Sequence, residues 1–428
     1  MSDALSLAYE TNPQLAQARA ALEALDQGVA QANANWRPSI NATITQGYDR
    51  GFIAGLPGSV VSKPYVGQVT VTEPIFRGGR TVAEINQAKS QVHAGRAQLI
   101  ATEQTVLLDA VTAYMDVVRD TQKLTINRDN VAALENEFGG VQKQFNAGMV
   151  TRPDLAQAQA RLQRGRADEA LAESQLVASR AAFEDVIGRP AETLDETVEL
   201  PPTPKTPDIA LALALKQNPA LDQAKANERA ADYAVDDAVG ALLPQLSISG
   251  QYQYLRDAPS TSVFGIGNRQ QVESAMAQLT VPIYQGGGEA ATVRRAKDMH
   301  AQAELAIVSA EHGVRRDLDS VWGALQTLET SIAANRAQFE ADKEAVSGVT
   351  LQQKGGQRSV LDVLNAFQEL YAAQIALADA EHDHVIAVYR LLSVTGQLTA
   401  GYLKLKAPLY DPEVHYEENA NAWFGFDQ

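Results

Sequence analysis

The feature that most constrains this chain is that it states its own plan twice. Ala4-Leu5-Ser6-Leu7-Ala8 and Thr11-Asn12-Pro13-Gln14-Leu15 return as Ala210-Leu211-Ala212-Leu213-Ala214 and Gln217-Asn218-Pro219-Ala220-Leu221, an offset of 206 that also pairs Pro38 with Pro244 and Tyr48 with Tyr254. From Pro74-Ile75-Phe76-Arg77-Gly78-Gly79 against Pro282-Ile283-Tyr284-Gln285-Gly286-Gly287 the offset is 208, and it goes on to pair Ala88-Lys89 with Ala296-Lys297, Asn127-Arg128 with Asn335-Arg336, Gly148 with Gly356, Asp154 with Asp362 and Gly188 with Gly396. Single matches arise by chance, but a register held over most of 428 residues is a duplication. The first repeat is 1–200, a proline-rich linker occupies 201–207, the second repeat is 208–407, and a tail of 408–428 containing Trp423 and Phe424 has no counterpart.

Each half reads as helix, two strands, then a long helical hairpin. The Ala/Gln/Leu-rich stretch 14–34 breaks at Trp36-Arg37-Pro38, where the period changes to two. Ile40, Ala42, Ile44 and Tyr48 alternate with Asn41, Thr43 and Thr45, and Leu246, Ile248, Tyr252 and Tyr254 with Ser247, Ser249, Gln251 and Gln253. Return strands follow, Val69 and Val71 among Gln68, Thr70 and Thr72, and Leu279 and Val281 among Gln278 and Thr280. The predicted strands are about 39–48, 66–76, 245–255 and 272–284, each near the length at which a tilted strand crosses a bilayer. The segments between them, Asp49 to Lys63 and Arg256 to Gln271, read as exposed loops.

After Gly78-Gly79 and Gly286-Gly287-Gly288 the chain is almost free of proline. Leu124, Val131, Leu134, Phe138, Val141 and Phe145 recur mostly at threes and fours, a coiled-coil seam. The predicted hairpins are about 80–188 and 288–398, and a helix of some 65 residues is on the order of 100 Å long. They turn at Ala147-Gly148-Met149-Val150-Thr151-Arg152-Pro153-Asp154 and Gly355-Gly356-Gln357-Arg358-Ser359, where glycine suits a helix C-cap and Pro153 the first turn of the next helix.

Composition excludes several functions. There are no cysteines, hence no disulfide framework, thiolate metal site or Cys nucleophile. Net charge is −16, against nucleic acid as a partner. No run of 18 apolar residues predicts a membrane-spanning helix. Met1-Ser2-Asp3 lacks the basic start and apolar run of a signal peptide, so the chain reads either as cytosolic or as beginning at a mature terminus with a Met added. No catalytic constellation, cofactor motif or metal motif is present. Glu381-His382-Asp383-His384 puts its imidazoles two apart, on different faces of a helix, and Gly286-Gly287-Gly288-Glu289 lacks the spacing of a phosphate loop. Trp36 and Trp322 read as packing residues.

Four strands make a sheet with two open edges, and unpaired edge groups are not tolerated in lipid. Four strands are also too few to enclose a lumen. Three copies would supply twelve strands and close both edges.

This layout resembles the TolC family of outer-membrane efflux ducts. The resemblance is carried by the Asn-Pro near the start of each half, the Pro-Ile-(Phe/Tyr)-x-Gly-Gly closing each strand pair, and the turns Gly148-Met149-Val150-Thr151-Arg152-Pro153-Asp154-Leu155 and Gly356-Gln357-Arg358-Ser359-Val360-Leu361-Asp362-Val363-Leu364. It implies a mainly α fold with a small antiparallel β part, and a homotrimer whose twelve-stranded barrel in the outer membrane of a diderm bacterium continues as an α-helical barrel into the periplasm. It implies no enzyme and no cofactor. The implied partners are outer-membrane lipid, a periplasmic adaptor and an inner-membrane pump, with an ABC transporter ahead of a proton-driven one. The duct would passively conduct secreted protein or small toxic molecules and open by an iris-like movement of its periplasmic hairpins. Tyr410-Asp411-Pro412-Glu413-Val414-His415-Tyr416 with Trp423-Phe424-Gly425 looks like members serving type I protein secretion. The alternative reading is a soluble coiled-coil scaffold with no channel.

The resemblance also assigns roles at the hairpin turns. Asp362 matches an acidic constriction ring, Arg358 a basic residue tying neighbouring hairpins, and Asp154 its acidic partner. Asn365 stands where a second acidic residue is usual, and Gln353 where a tyrosine latches the hairpins, so closure is expected to be weaker or differently distributed. Gly148, Thr151, Gly356 and Ser359 are the expected adaptor contacts. Three Asp362 carboxylates around an axis would repel by roughly 1–4 kcal/mol per pair at about 4 Å and would concentrate cations. Asp154 and Asp362 also sit where an acidic residue simply caps a helix, and Arg358 could be an ordinary solvated turn residue.

Overall fold

The computed structural model describes residues 1–52, 58–257 and 269–423. In chain order the helices are α1 (Ser2–Thr11), α2 (Pro13–Asn33), α3 (Arg80–Asn146), α4 (Arg152–Ile187), α5 (Pro207–Gln217), α6 (Pro219–Gly240), α7 (Gly288–Lys354), α8 (Val360–Val394) and α9 (Pro412–Asn419). The strands are β1 (Ser39–Gln46), β2 (Asp49–Gly51), β3 (Val60–Ser62), β4 (Tyr65–Arg77), β5 (Gln245–Arg256) and β6 (Arg269–Thr280). No helix among the described residues is long and apolar enough to cross a membrane. The chain divides into two compact units, one of 1–20, 96–223 and 308–411, the other of 21–95, 224–307 and 412–428, and each draws on both sequence repeats.

In the first unit the hairpins pack through small and branched side chains. Leu107, Ile187, Leu391, Leu392 and Leu398 are fully buried. One apolar cluster joins Ala210 of α5 to Leu318, Val321 and Leu325 of α7 and Ala387, Val388 and Leu391 of α8, with Trp322 against it. The Asn-Pro motifs close the hairpins. Asn12 Oδ1 accepts from the Gln14 backbone N–H (2.9 Å) while its Nδ2 donates to the Val186 carbonyl at the end of α4 (3.2 Å). Asn218 does the same with Ala220 N–H (3.0 Å) and the Val394 carbonyl of α8 (2.9 Å). One side chain thus caps the start of one helix and satisfies an orphan carbonyl at the end of another. Gly396 has φ +76°, and a Cβ there would collide with the Gln217 carbonyl.

In the second unit β1, β4, β5 and β6 form one antiparallel sheet in that order, leaving β1 and β6 as edges. The register sorts the side chains. One face carries Ile40, Val71 and Ala275, then Ala42, Val69 and Tyr252, then Ile44 and Tyr254, and nearer the helices Ile248, Phe76, Leu246 and Leu279. The opposite face carries Ser39, Thr72 and Ser249, then Asn41, Thr70, Gln251 and Ser274, then Thr43, Gln68 and Gln253. The apolar face is not covered: Ile40 is 69% and Ile44 73% exposed. β6 ends at Thr280, short of the predicted 284, because Pro282 has no N–H to continue a ladder. The predicted loop 49–63 carries a short ladder, β2 against β3. Its residues 53–57 and the loop residues 258–268 lie outside the described residues.

Beside the sheet, Gly78 (φ +66°) lets β4 turn into α3 against the Gly240 carbonyl, where any Cβ would collide. Arg80 bridges that exit to Asp237 of α6 (2.9 Å), which raises its already high pKa, while Arg77 holds Glu84 (2.8 Å). The tail clasps α2: His415 Nδ1 meets the fully buried Asp26 (2.9 Å), Asn33 donates to the Ala420 carbonyl (2.8 Å), and the Arg37 guanidinium lies 4.6 Å from the Trp423 ring centre. Trp36, read as a packing residue, is instead 45% exposed.

Candidate functional site

Both hairpin turns lie in the first unit. Glycines at the αL positions end α3 and α7, Gly148 at φ +74° and Gly356 at φ +73°, with open space around each Cα. The Gly356 N–H donates to the Gln353 carbonyl (2.9 Å). Met149, in the turn between α3 and α4, is largely exposed.

The two acidic candidates are held alike. Asp362 Oδ2 accepts from the Ser359 N–H and hydroxyl (both 2.9 Å), and the Asp362 N–H donates back to the Ser359 hydroxyl (3.2 Å). Asp154 Oδ2 accepts from the Thr151 N–H (2.9 Å) and hydroxyl (2.6 Å). Hydrogen bonds from Ser359 hold the Asp362 carboxyl below its ordinary range, and those from Thr151 do the same for Asp154. Both carboxylates therefore stay charged at neutral pH. Each keeps its charge at a turn while capping α8 or α4, so the capping reading is correct and leaves a second role open to both.

Arg358 donates to Gln352 of its own hairpin (3.2 Å), and its charge also favours the Asp362 carboxylate. Within one chain Arg358 and Asp154 are not brought together; the contact implied by the resemblance joins neighbouring hairpins. Asn365 Oδ1 accepts from Arg161 Nη2 of α4 (3.4 Å), a link between the two hairpins. Beneath it Val360 and Leu364 of α8 share a cluster with Val131, Leu134 and Val141 of α3 and Ala158 and Leu162 of α4. The hairpin ends are thus packed by apolar contacts, with polar groups outside.

Sequence reasoning missed Arg161, whose partner is 204 positions away, and a partly buried polar network farther along the hairpins. His382 of α8 is buried, with Nε2 2.9 Å from Asp116 and Nδ1 2.8 Å from Asp383. Arg119 reaches Asp116 (2.9 Å) and the buried Asp120 (2.8 Å), Lys123 reaches Asp379 (2.6 Å), and the Tyr371 hydroxyl donates to Asn127 (3.1 Å). The repetition of Asn127 as Asn335 was the available signal. Asn335, half-buried, donates to the Ala376 carbonyl of α8 (3.2 Å).

A sheet with one mainly apolar and one mainly polar face, in the same chain as helical hairpins of this length, defines a channel protein of the outer membrane. The family model for outer membrane efflux proteins matches residues 4–189 and 210–397, and the chain belongs to that family. The outer membrane efflux protein BepC of Brucella suis biovar 1 is 33% identical over 427 residues, covering 99% of this chain and 91% of BepC. The alkaline protease secretion protein AprF of Pseudomonas aeruginosa is 27% identical, covering 80% of this chain and 72% of AprF. The crystal structure of the outer membrane protein VceC of Vibrio cholerae superposes with a TM-score of 0.80 at 16% identity, covering 92% of this chain and 95% of that one.

Proposed function

We propose that three copies of this chain form a single exit duct of a tripartite export system, conducting its cargo passively from an inner-membrane pump to the exterior. The carrying observation is the sheet: its two edges are open, one face is mainly apolar through Ile40, Ala42, Ile44, Val69, Val71, Tyr252 and Tyr254, and the other carries mainly Ser, Thr, Asn and Gln. A lone sheet of this kind would be aggregation-prone in water and unsatisfied in lipid. The duplication indicates how it closes. Within one chain the return strand of the first half, β4, pairs with the outgoing strand of the second, β5. Repeating that junction joins β6 of one copy to β1 of the next, and three copies complete a twelve-stranded ring with lipid outside and a polar lumen inside. The scaffold alternative leaves the apolar face without a purpose.

At the far ends of the hairpins, Asp362 would ring the axis and Arg358 would reach Asp154 of an adjacent hairpin. Arg161 bound to Asn365 takes over part of the holding that Gln353 and Asn365 do not supply. The adaptor would dock on Gly148, Thr151, Gly356 and Ser359, and its docking would untwist the hairpins. A pump of the ABC class is favoured by the likeness to a relative named for protease secretion and by the Tyr410 to Trp423 tail. Fractionation tests the reading: the protein should sediment with outer membrane and migrate as a heat-sensitive trimer, whereas a soluble monomer would refute it. Co-purification with the pump distinguishes the transporter classes.

A further inference from the structure

The helices flanking the sheet hold a cluster that neither the family nor the proposed duct explains. Glu228 of α6 and His300 and Glu304 of α7 place one ligand atom each within 4.8 Å of one another, the one such trio among the described residues. His300 Nε2 already lies 2.9 Å from Glu228 Oε1, and both side chains are about one-quarter exposed. His300 and Glu304 are one helical turn apart, as are Glu228 and Asp232, so two helices each present two candidate ligands on one face. Asp232 acts on His300 electrostatically together with both glutamates.

The duplication supplies an independent comparison. At its offsets Glu228 corresponds to Leu22 and His300 to Val92, which are both buried apolar residues packed in the first half. The second half has exchanged an apolar contact for an imidazole facing carboxylates. Packing alone does not call for that exchange, and a partly exposed ion pair contributes little to stability.

We propose that Glu228, His300 and Glu304 bind a divalent transition-metal ion of the zinc class, with Asp232 available as a fourth ligand. One nitrogen and two or three carboxylate oxygens suit zinc, cobalt or nickel, whereas calcium and magnesium favour all-oxygen sites. Around a tetrahedral ion with bonds of about 2.0–2.2 Å the ligand atoms stand roughly 3.3 Å apart, so side-chain rotations of about an ångström close the site.

Titrating the detergent-solubilised full-length protein with zinc, followed by calorimetry, tests this. Wild type should bind one zinc per chain at this site. His300→Gln and Glu304→Gln should each weaken binding at least about tenfold, while His312→Ala serves as a control for unrelated histidines. Cobalt in place of zinc should give a visible absorption band that His300→Gln removes. Should His300→Gln fail to assemble, Glu304→Gln, at an exposed position, decides. Zinc affinity and stoichiometry unchanged in either folded variant would overturn the proposal, whether or not the protein conducts.

Discussion

Val69 of β4 and Tyr252 of β5 stand directly opposite one another, and that pair belongs to the ladder that makes one sheet of two repeats. Ala42 extends the same row across β1, and Glu273 ends it on β6. On either side of it Ile40, Val71 and Ala275, and Ile44 and Tyr254, are apolar on this face, so the row lies in the band assigned to lipid.

Val69→Arg should therefore impair insertion, at a cost of about 2–4 kcal/mol if the row lies near the bilayer midplane. Gln251→Lys, one residue away on the polar face, should assemble normally and shift ion selectivity. Urea unfolding in lipid vesicles and bilayer conductance separate the two, and equal tolerance of both substitutions would contradict the face assignment.

Asn12 and Asn218 each cap one helix and bind the last turn of another. Asn12→Ala and Asn218→Ala should each destabilise the protein by about 1–2 kcal/mol, since a cap is lost and a carbonyl is left unpaired. Asn218→Asp should recover only the capping part, because a carboxylate cannot donate to Val394. Denaturant midpoints report the difference.

Burial pushes the Asp116 carboxyl up, but hydrogen bonding to His382 and the charge of Arg119 outweigh it and hold the pKa below the usual range. A carboxyl lowered in the native state stabilises above its unfolded value and loses that contribution as pH falls through the native one. The stability gap between wild type and Asp116→Asn, about 1–3 kcal/mol after allowance for partial exposure, should thus be complete at neutral pH and close only below about pH 4. A gap already gone at pH 6 would show that Asp116 is not the titrating partner.

Asp362 has a capping role and a proposed pore role, and Asp362→Asn separates them. Asparagine keeps the oxygen that accepts from Ser359 but removes the charge. Amide exchange in the first turn of α8 should stay close to wild type while block of single channels by cations falls. Unchanged block would take Asp362 out of the constriction.

Much of the fold was legible because its signals are local. The alternation of Ile40, Ala42 and Ile44 with Asn41 and Thr43 is visible without any partner strand, and Gly148 and Gly356 announce the turns by residue type alone. The register of the duplication revealed which strand of one half corresponds to which of the other. What stayed hidden depends on distant packing. In Glu381-His382-Asp383-His384 the sequence shows only imidazoles on different helix faces, and the role of His382 emerges when α3 brings Asp116 and Arg119 against it. Arg161 and Asn365, or Glu228 and His300, meet only once the helices pack. The β2–β3 ladder escaped notice because three-residue strands are too short to show a period.

Carrying the β4–β5 pairs through the repeat offsets gives the expected register between copies: Thr70 with Gln251 becomes Gln278 of β6 with Thr45 of β1 in the next copy. The chain has no cysteine of its own, so oxidising Thr45→Cys/Gln278→Cys in native membranes reads that contact directly. Covalent trimers that survive boiling in detergent are the predicted product. A monomer bridged within itself, or no bridge at any register along the two edges, would contradict the claim that one chain supplies a third of a closed wall.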